Sequence, residues 1–240
     1  TLSPIQQNFF AQNLSNPHHY NQSVMLSVEE GIDISALQSA LNSLLQHHDA
    51  LRLRFEQVSK ENGWQQQYAE LDNFSVPLDH IDLTGEDVPS LEETMFGLQS
   101  SLQLSEGPLF RSVLITLKPA KYKEKVSSKR LLLIAHHLVV DGVSWRILLA
   151  DLLTAYQQAV NGQAIALPAK TTAFGHWTNH LRQQARAHIF EAEQAYWRET
   201  CQSTTPLAVD DPSGENTVAD TREVVVSLEA GETAALKALS

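Results

Sequence analysis

The residues in this chain best suited to moving a proton are His136 and His137, followed at close spacing by Asp141, Gly142, Ser144 and Trp145. Imidazole changes charge nearest neutral pH, so histidine fits general acid–base work. The apolar run Arg130–Ala135 reads as a buried strand, which delivers both histidines to a strand end with a fixed direction. Neighbouring strand residues point to opposite faces, so His136 and His137 are poorly placed to share one metal ion, and no metal is expected. Gly142 leaves space where a substrate backbone could come close. From Val143 the pattern turns helical through Trp145, Ile147, Leu148, Leu149, Leu152 and Leu153. The loop therefore feeds a helix N-terminus, whose partial positive charge and N–H groups suit an oxyanion. Asp141 stands just before that helix, where it either caps it or pairs with an arginine. A lone histidine at a strand end is most often structural. The second histidine, with x3-Asp-Gly-x-Ser-Trp at a strand–helix junction, shifts the balance toward function.

Several elements must position this loop. Ser3 and Pro4 start a short helix over 2–15, with Ile5, Phe9 and Phe10 on one apolar face. Asn21–Glu29 reads as a strand. Asp33 caps a helix to about His48, with Leu37, Ala40, Leu41, Leu44 and Leu45 at three- and four-residue spacing. Leu51–Val58 and Trp64–Leu71 flank the turn signal Glu61-Asn62-Gly63 and predict a hairpin. A helix is expected over about 89–102, then the strands Leu109–Leu117 and Arg130–Ala135 around a charged loop, Lys118–Lys129. Helices follow at about 143–160, 172–186 and 188–200. A polar linker at 202–220 precedes a strand, Glu223–Leu228, and a last helix near Ala230. Intermixed helices and strands mean α/β, or α+β with a mixed sheet. The pair His47-His48 closes a helix, where cationic side chains are favoured, and neither it nor His18-His19 is read as a ligand pair.

Composition narrows the partners. A net charge of −11 spread over 240 residues offers no basic stripe for phosphates, which argues against nucleic acid and against an anionic membrane surface. The single cysteine, Cys201, excludes an internal disulfide and a cysteine-built metal site and fits the cytosol. No apolar run reaches the roughly 18 residues of a membrane span. A start at Thr1 without methionine and an end inside a helical pattern suggest a piece of something longer.

The loop His136-His137-Leu138-Val139-Val140-Asp141-Gly142-Val143-Ser144-Trp145 resembles the His-His-x3-Asp-Gly-x-Ser-Trp signature of condensation and epimerization domains of nonribosomal peptide synthetases. Leu2-Ser3-Pro4-Ile5-Gln6-Gln7-Asn8-Phe9-Phe10 is similar to the opening motif of the epimerization branch, Pro-Ile-Gln-x-Trp-Phe, with Asn8 where that branch usually carries Trp. The Ser-x-Ala-Gln-x-Arg opening of condensation domains is absent. Asn16 through Ser23, His47 through Phe55, Thr172 through Trp177, Ala195-Tyr196-Trp197 and Asp210 through Asn216 continue the likeness in order.

The resemblance implies a chloramphenicol acetyltransferase-like fold of two lobes. Residues 1–200 would be the N-terminal lobe, and 201–240 the crossover and the start of the C-terminal lobe. The substrate implied is an L-aminoacyl or L-peptidyl thioester on the 4'-phosphopantetheine of a carrier protein, with no cofactor bound directly. Partners would be the peptidyl carrier protein domain, neighbouring synthetase domains and the other lobe, in cytoplasmic secondary-metabolite and antibiotic biosynthesis. His137, with His136, is assigned to proton transfer at Cα or to stabilising the enolate. A glutamate of a Glu-Gly-His-Gly-Arg-Glu motif, outside this sequence, would face it. Asp141 shapes the loop with Arg52 as first choice of partner and Arg54 as second. Trp145 packs, and Gly142, Val143 and Ser144 line the thioester pocket. Other readings stay open. One is a condensation domain, in which His137 serves the attacking amine. Another is a coenzyme A-type acyltransferase that keeps only His-x3-Asp-Gly. A third is an inactive half-domain or carrier-docking module.

Overall fold

A computed structural model describes residues 2–59, 63–70, 78–118, 128–202, 205, 207–214 and 217–239. They form two compact units, 1–190 and 191–240. In chain order the first holds α1 (Pro4–Ala11), β1 (Asn21–Ser27), α2 (Ile34–His47), β2 (Leu53–Ser59), β3 (Gly63–Tyr68), β4 (Leu78–Leu83), α3 (Leu91–Gln99), β5 (Phe110–Leu117), β6 (Lys129–His136), α4 (Gly142–Val160) and α5 (Phe174–Arg186). The second holds α6 (Glu191–Gln202) and α7 (Ala230–Ala238). The units divide at 190/191, and α6 buries none of its residues.

The main sheet runs β1-β6-β5-β4, with β6 antiparallel to both β1 and β5 and β4 parallel to β5. It is the expected mixed sheet. Its central strands carry buried apolar runs, Val113–Ile115 and Leu131–Ala135, because both faces are covered there. Leu131, Leu133 and Ala135 pack into one cluster with Leu37, Leu41 and Leu44 of α2 and Leu148 and Leu152 of α4. Leu132 and Ile134 pack into another with Leu98, Leu102, Val113 and Ile115. The strand β4 was not anticipated. Its Leu78-Asp79-His80-Ile81-Asp82-Leu83 pattern is broken by charge, as an edge position tolerates.

Local signals explain the rest. Ser3 caps α1 reciprocally: its hydroxyl accepts from the Gln6 N–H at 3.3 Å, and the Gln6 side-chain oxygen accepts from the Ser3 N–H at 2.8 Å. The helix stops at Ala11, short of the expected residue 15, and Asn13 takes a left-handed φ of 48°. Phe9 is buried as expected, but Ile5 is 76% exposed and leaves the apolar face. Asp33 caps α2, accepting from the Ala36 N–H at 2.9 Å, and all five expected core positions of that helix are buried. Each buried leucine there contributes on the order of 2 kcal/mol, far above any helix propensity. The hairpin β2–β3 forms with a register shift between Gln57 and Ser59. Glu61, Asn62 and Leu71 of its expected span, and 119–127 of the charged loop, lie outside the described residues.

One expected strand is absent. Glu223–Leu228 has no ladder partner among the described residues, and Val224, Val225 and Val226 are exposed. No helix among the described residues is long and apolar enough to cross a membrane.

Candidate active site

The end of β6 is held on both sides up to its last residue. Asn21 of β1 pairs with His136, the His136 N–H donates to the Leu109 carbonyl at 2.9 Å, and the His137 N–H donates to the Tyr20 carbonyl at 2.8 Å. The two histidines then part. His136 is fully buried. Its Nε2 lies 2.8 Å from the Pro17 carbonyl, which only accepts, and its Nδ1 accepts from the Leu138 N–H at 3.2 Å. Burial pushes its pKa from 6.5 down to about 4, so it is neutral at pH 7. Phe9 meets its ring edge-on at 5.7 Å. Both ring nitrogens are occupied by backbone, and His136 is not among the residues that line the cleft. His136, grouped with His137 in the sequence, thus bridges the segment before β1, at Pro17, and the loop after β6, at Leu138.

His137 does open into a cleft, of about 520 Å³, walled by Ile5, Asn8 and Phe9 of α1, its C-cap Gln12, Tyr20, the loop 138–141, and Ser144. The Tyr20 ring stacks on the imidazole at 5.5 Å and 18°. Ile5, so exposed for an apolar side chain, is one of the cleft walls, and Asn8 is another. A larger depression of about 900 Å³ lies across α1, between Phe10, Trp64 and Leu181, but Arg182 is the one ionisable side chain lining it among the described residues. The smaller cleft, by contrast, is lined by both His137 and Asp141.

Three contacts link Trp145, Gln22, His137 and Val140. The Trp145 indole N–H donates to Gln22 Oε1 at 2.9 Å; Gln22 Nε2 lies 3.0 Å from His137 Nε2; and His137 Nδ1 lies 2.9 Å from the Val140 carbonyl. Trp145 was expected to pack. It is buried in the main core cluster and also donates this bond. Gln22 was missed as a site residue. Its partner lies 115 residues away, so the sequence carries no local signal for it.

Asp141 resolves to the cap. Its Oδ1 accepts from the Ser144 N–H at 2.7 Å and the Ser144 hydroxyl at 2.6 Å. Ser144, through hydroxyl and then N–H, holds the Asp141 carboxyl below the usual carboxylate range, helped by the Val143 N–H and His137. The expected pairing with arginine is not made. Arg52 donates to the Leu45 and Ala69 carbonyls at 3.3 and 2.9 Å and ion-pairs with Asp49 at 3.2 Å. Arg54 donates to the Glu106 and Leu53 carbonyls at 3.0 and 2.7 Å. The guanidinium forks of both arginines are taken by backbone carbonyls. The capping carboxylate also takes the first N–H groups of α4, so the expected oxyanion site at Val143 and Ser144 is already filled by a negative group. Ser144 lines the cleft; Gly142 and Val143 are exposed and are not among its walls.

Among the described residues, His47, His48 and Asp151 bring ligand-type atoms within 4.8 Å of one another. His48 Nε2 is 2.8 Å from Asp151 Oδ2, tying α2 to α4, and the Lys170 ammonium sits nearby on the His47 carbonyl and Asp49 at 2.9 and 2.8 Å. Burial lowers the His48 pKa, against the pull of Asp151. A lysine this close disfavours a cation, and the group reads as a helix–helix tie. His18 is likewise structural, its Nδ1 accepting from the Leu104 N–H at 3.1 Å.

The known proteins similar to this chain share one biosynthetic setting. A family model described as Condensation domain matches residues 1–240. A linear gramicidin synthase of Brevibacillus parabrevis is 43% identical over 243 residues, covering 98% of this chain and 3% of that protein. Surfactin synthase subunit 2 of Bacillus subtilis (strain 168) is 37% identical over 239 residues, covering 97% and 6%. Among solved structures, the epimerization domain from the third module of tyrocidine synthetase B superposes with a TM-score of 0.74 at 37% identity, covering 87% of this chain and 46% of that one. The starter condensation domain of rhizomide synthetase superposes at 0.65 with 22% identity, covering 84% and 47%, a likeness of fold alone. The chain thus spans about half of these solved domains and a few per cent of the synthetases.

Proposed function

Because this chain belongs to the Condensation domain family, with the chloramphenicol acetyltransferase-like fold of its neighbours, we propose that it is the N-terminal part of an epimerization domain of a nonribosomal peptide synthetase. Residues 1–200 form its first lobe, and 201–240 cross toward the second. Its substrate is an L-aminoacyl or L-peptidyl thioester carried on the phosphopantetheine of a peptidyl carrier domain. The observation that carries the choice over peptide-bond formation is the 37% identity to an epimerization domain, against 22% to a condensation domain.

The site's geometry suits the reaction. A thioester carbonyl accepts charge from an adjacent carbanion, so the Cα–H bond can break with its electron pair delocalised onto the carbonyl oxygen. The proton passes to His137 Nε2, the ring nitrogen that bears no hydrogen when Nδ1 donates to the Val140 carbonyl. Return of a proton to the opposite face, from a group on the second lobe, gives an L/D mixture. His136, Asp141, Trp145 and Tyr20 hold the loop; Ser144, a cleft wall, contacts the bound thioester.

The test uses the intact domain with a carrier loaded with an α-deuterated aminoacyl thioester. The expected result is loss of label and formation of D-product in the wild type, and neither with His137→Ala. Full retention of label with peptide-bond formation to a second carrier would replace this reading with condensation. Label loss at the wild-type rate in His137→Ala would remove His137 from the chemistry.

A further inference from the structure

We propose that Gln22 is a positioning residue for His137, selecting the imidazole tautomer that leaves Nε2 free of hydrogen. The inference deepens the reading of His137 as the proton-transfer group and rests on it.

Each link of the chain Trp145–Gln22–His137–Val140 is forced by what its atoms can do. An indole N–H only donates, so the Gln22 atom facing it at 2.9 Å is the amide oxygen. The amide nitrogen must then face His137 Nε2, 3.0 Å away, and it too only donates. His137 Nε2 is therefore the acceptor and bears no hydrogen. The ring hydrogen sits on Nδ1, donating to the Val140 carbonyl at 2.9 Å, which only accepts. The anchor is rigid: Trp145 is buried in the core cluster, and Gln22 lies on β1, hydrogen-bonded to β6 beside Ala135. No charged group is needed to set the tautomer, unlike arrangements in which a carboxylate faces the second ring nitrogen. The arrangement has a consequence for turnover. A proton arriving on Nε2 would confront two amide hydrogens, so the Gln22 amide must rotate away as the substrate's Cα–H enters. Gln22 then occupies, before the reaction, the place that the Cα–H takes during it.

The test is made on the intact domain, with 15N-labelled histidine and the His137 signals assigned by their loss in His137→Ala. The wild type is expected to carry its ring hydrogen on Nδ1 and none on Nε2. Gln22→Glu keeps the shape and the acceptor for Trp145 but turns the donor facing His137 into an acceptor, so Nε2 should become protonated. α-Hydrogen exchange should then fall about a hundredfold in kcat with KM unchanged. Trp145→Phe frees the amide to flip and should give both tautomers with a smaller loss. A wild-type Nε2 bearing hydrogen overturns the proposal, as does a Gln22→Glu ring that stays protonated on Nδ1 alone or turns over at the wild-type rate. The ring signals do not depend on the reaction. If they shift as expected while the wild-type domain exchanges no α-hydrogen, the reaction assignment fails and the role of Gln22 in setting the tautomer stands.

Discussion

Asp141 and Ser144 are joined twice, N–H and hydroxyl to the same carboxylate oxygen, at 2.7 and 2.6 Å. This pairing, and not an ion pair with a distant arginine, shapes the turn from the histidine strand into α4. An N-cap of this kind is worth about 1 kcal/mol. It costs no long-range ordering, because partner and cap lie on consecutive turns of chain. The loop's geometry is therefore largely local, while the orientation of His137 depends on β1.

The first expectation follows from the separation of Asp141 and Arg52. Asp141→Ala should lower stability by about 1 kcal/mol in urea unfolding, and Asp141→Asn, a good cap, by less. Arg52→Ala removes the donors to the Leu45 and Ala69 carbonyls from a buried guanidinium and should cost about 2 kcal/mol, with Lys a poor substitute for the fork. The double variant should be additive within about 0.5 kcal/mol. A coupling well above that would restore the ion pair that the sequence suggested. Asp141 also ties part of its contribution to pH. Its folded pKa lies below the ordinary value, so its stabilisation is present above the unfolded pKa and fades as pH falls through the folded one.

His136 predicts a second pH dependence at higher pH. Its folded pKa of about 4 lies below the ordinary 6.5, so the unfolded chain takes up the proton first as pH falls. The stabilisation it contributes is full above pH 6.5 and is lost between 6.5 and about 4. Between pH 7 and pH 5 that loss is about 2 kcal/mol. His136→Gln should start less stable and show a correspondingly flatter pH slope in urea unfolding. An unchanged slope would mean that His136 is charged or exposed in the folded domain.

How far the sequence reached depended on the range of the interaction. Helix α2, the central strands and the capping of α1 were legible because Leu37 to Leu45, Leu131 to Ala135 and Ser3-Pro4 state their structure within one or two turns of chain. The charged edge strand β4 follows no clean alternation, and its pairing with β5 comes from the sheet. Glu223–Leu228 carries a strand pattern, but a pattern supplies no ladder partner. Within the site, His137 and the cap at Asp141 could be read from spacing. Gln22 could not, because its partner lies 115 residues away in sequence. Asp141 has no arginine partner among the described residues because charge type names none: Arg52 is taken by the Leu45 and Ala69 carbonyls and by Asp49, contacts that the sequence does not display.

The last expectation concerns Gly142, first residue of α4. A Cβ built there meets nothing within 4 Å, and its φ is not left-handed, so nothing inside the chain demands a glycine. Gly142→Ala should leave urea stability unchanged or raise it by a few tenths of a kcal/mol, since alanine is the better helix former. If a carrier-borne thioester runs past the start of α4, the same methyl stands in its path. The intact domain should then show a raised KM for the loaded carrier, with the His137 ring signals unaltered. The two readouts separate the explanations. A stability loss would place the constraint in the fold, whereas unchanged stability with unchanged KM would move the pantetheine path away from Gly142 and toward the Ile5 and Asn8 wall of the cleft.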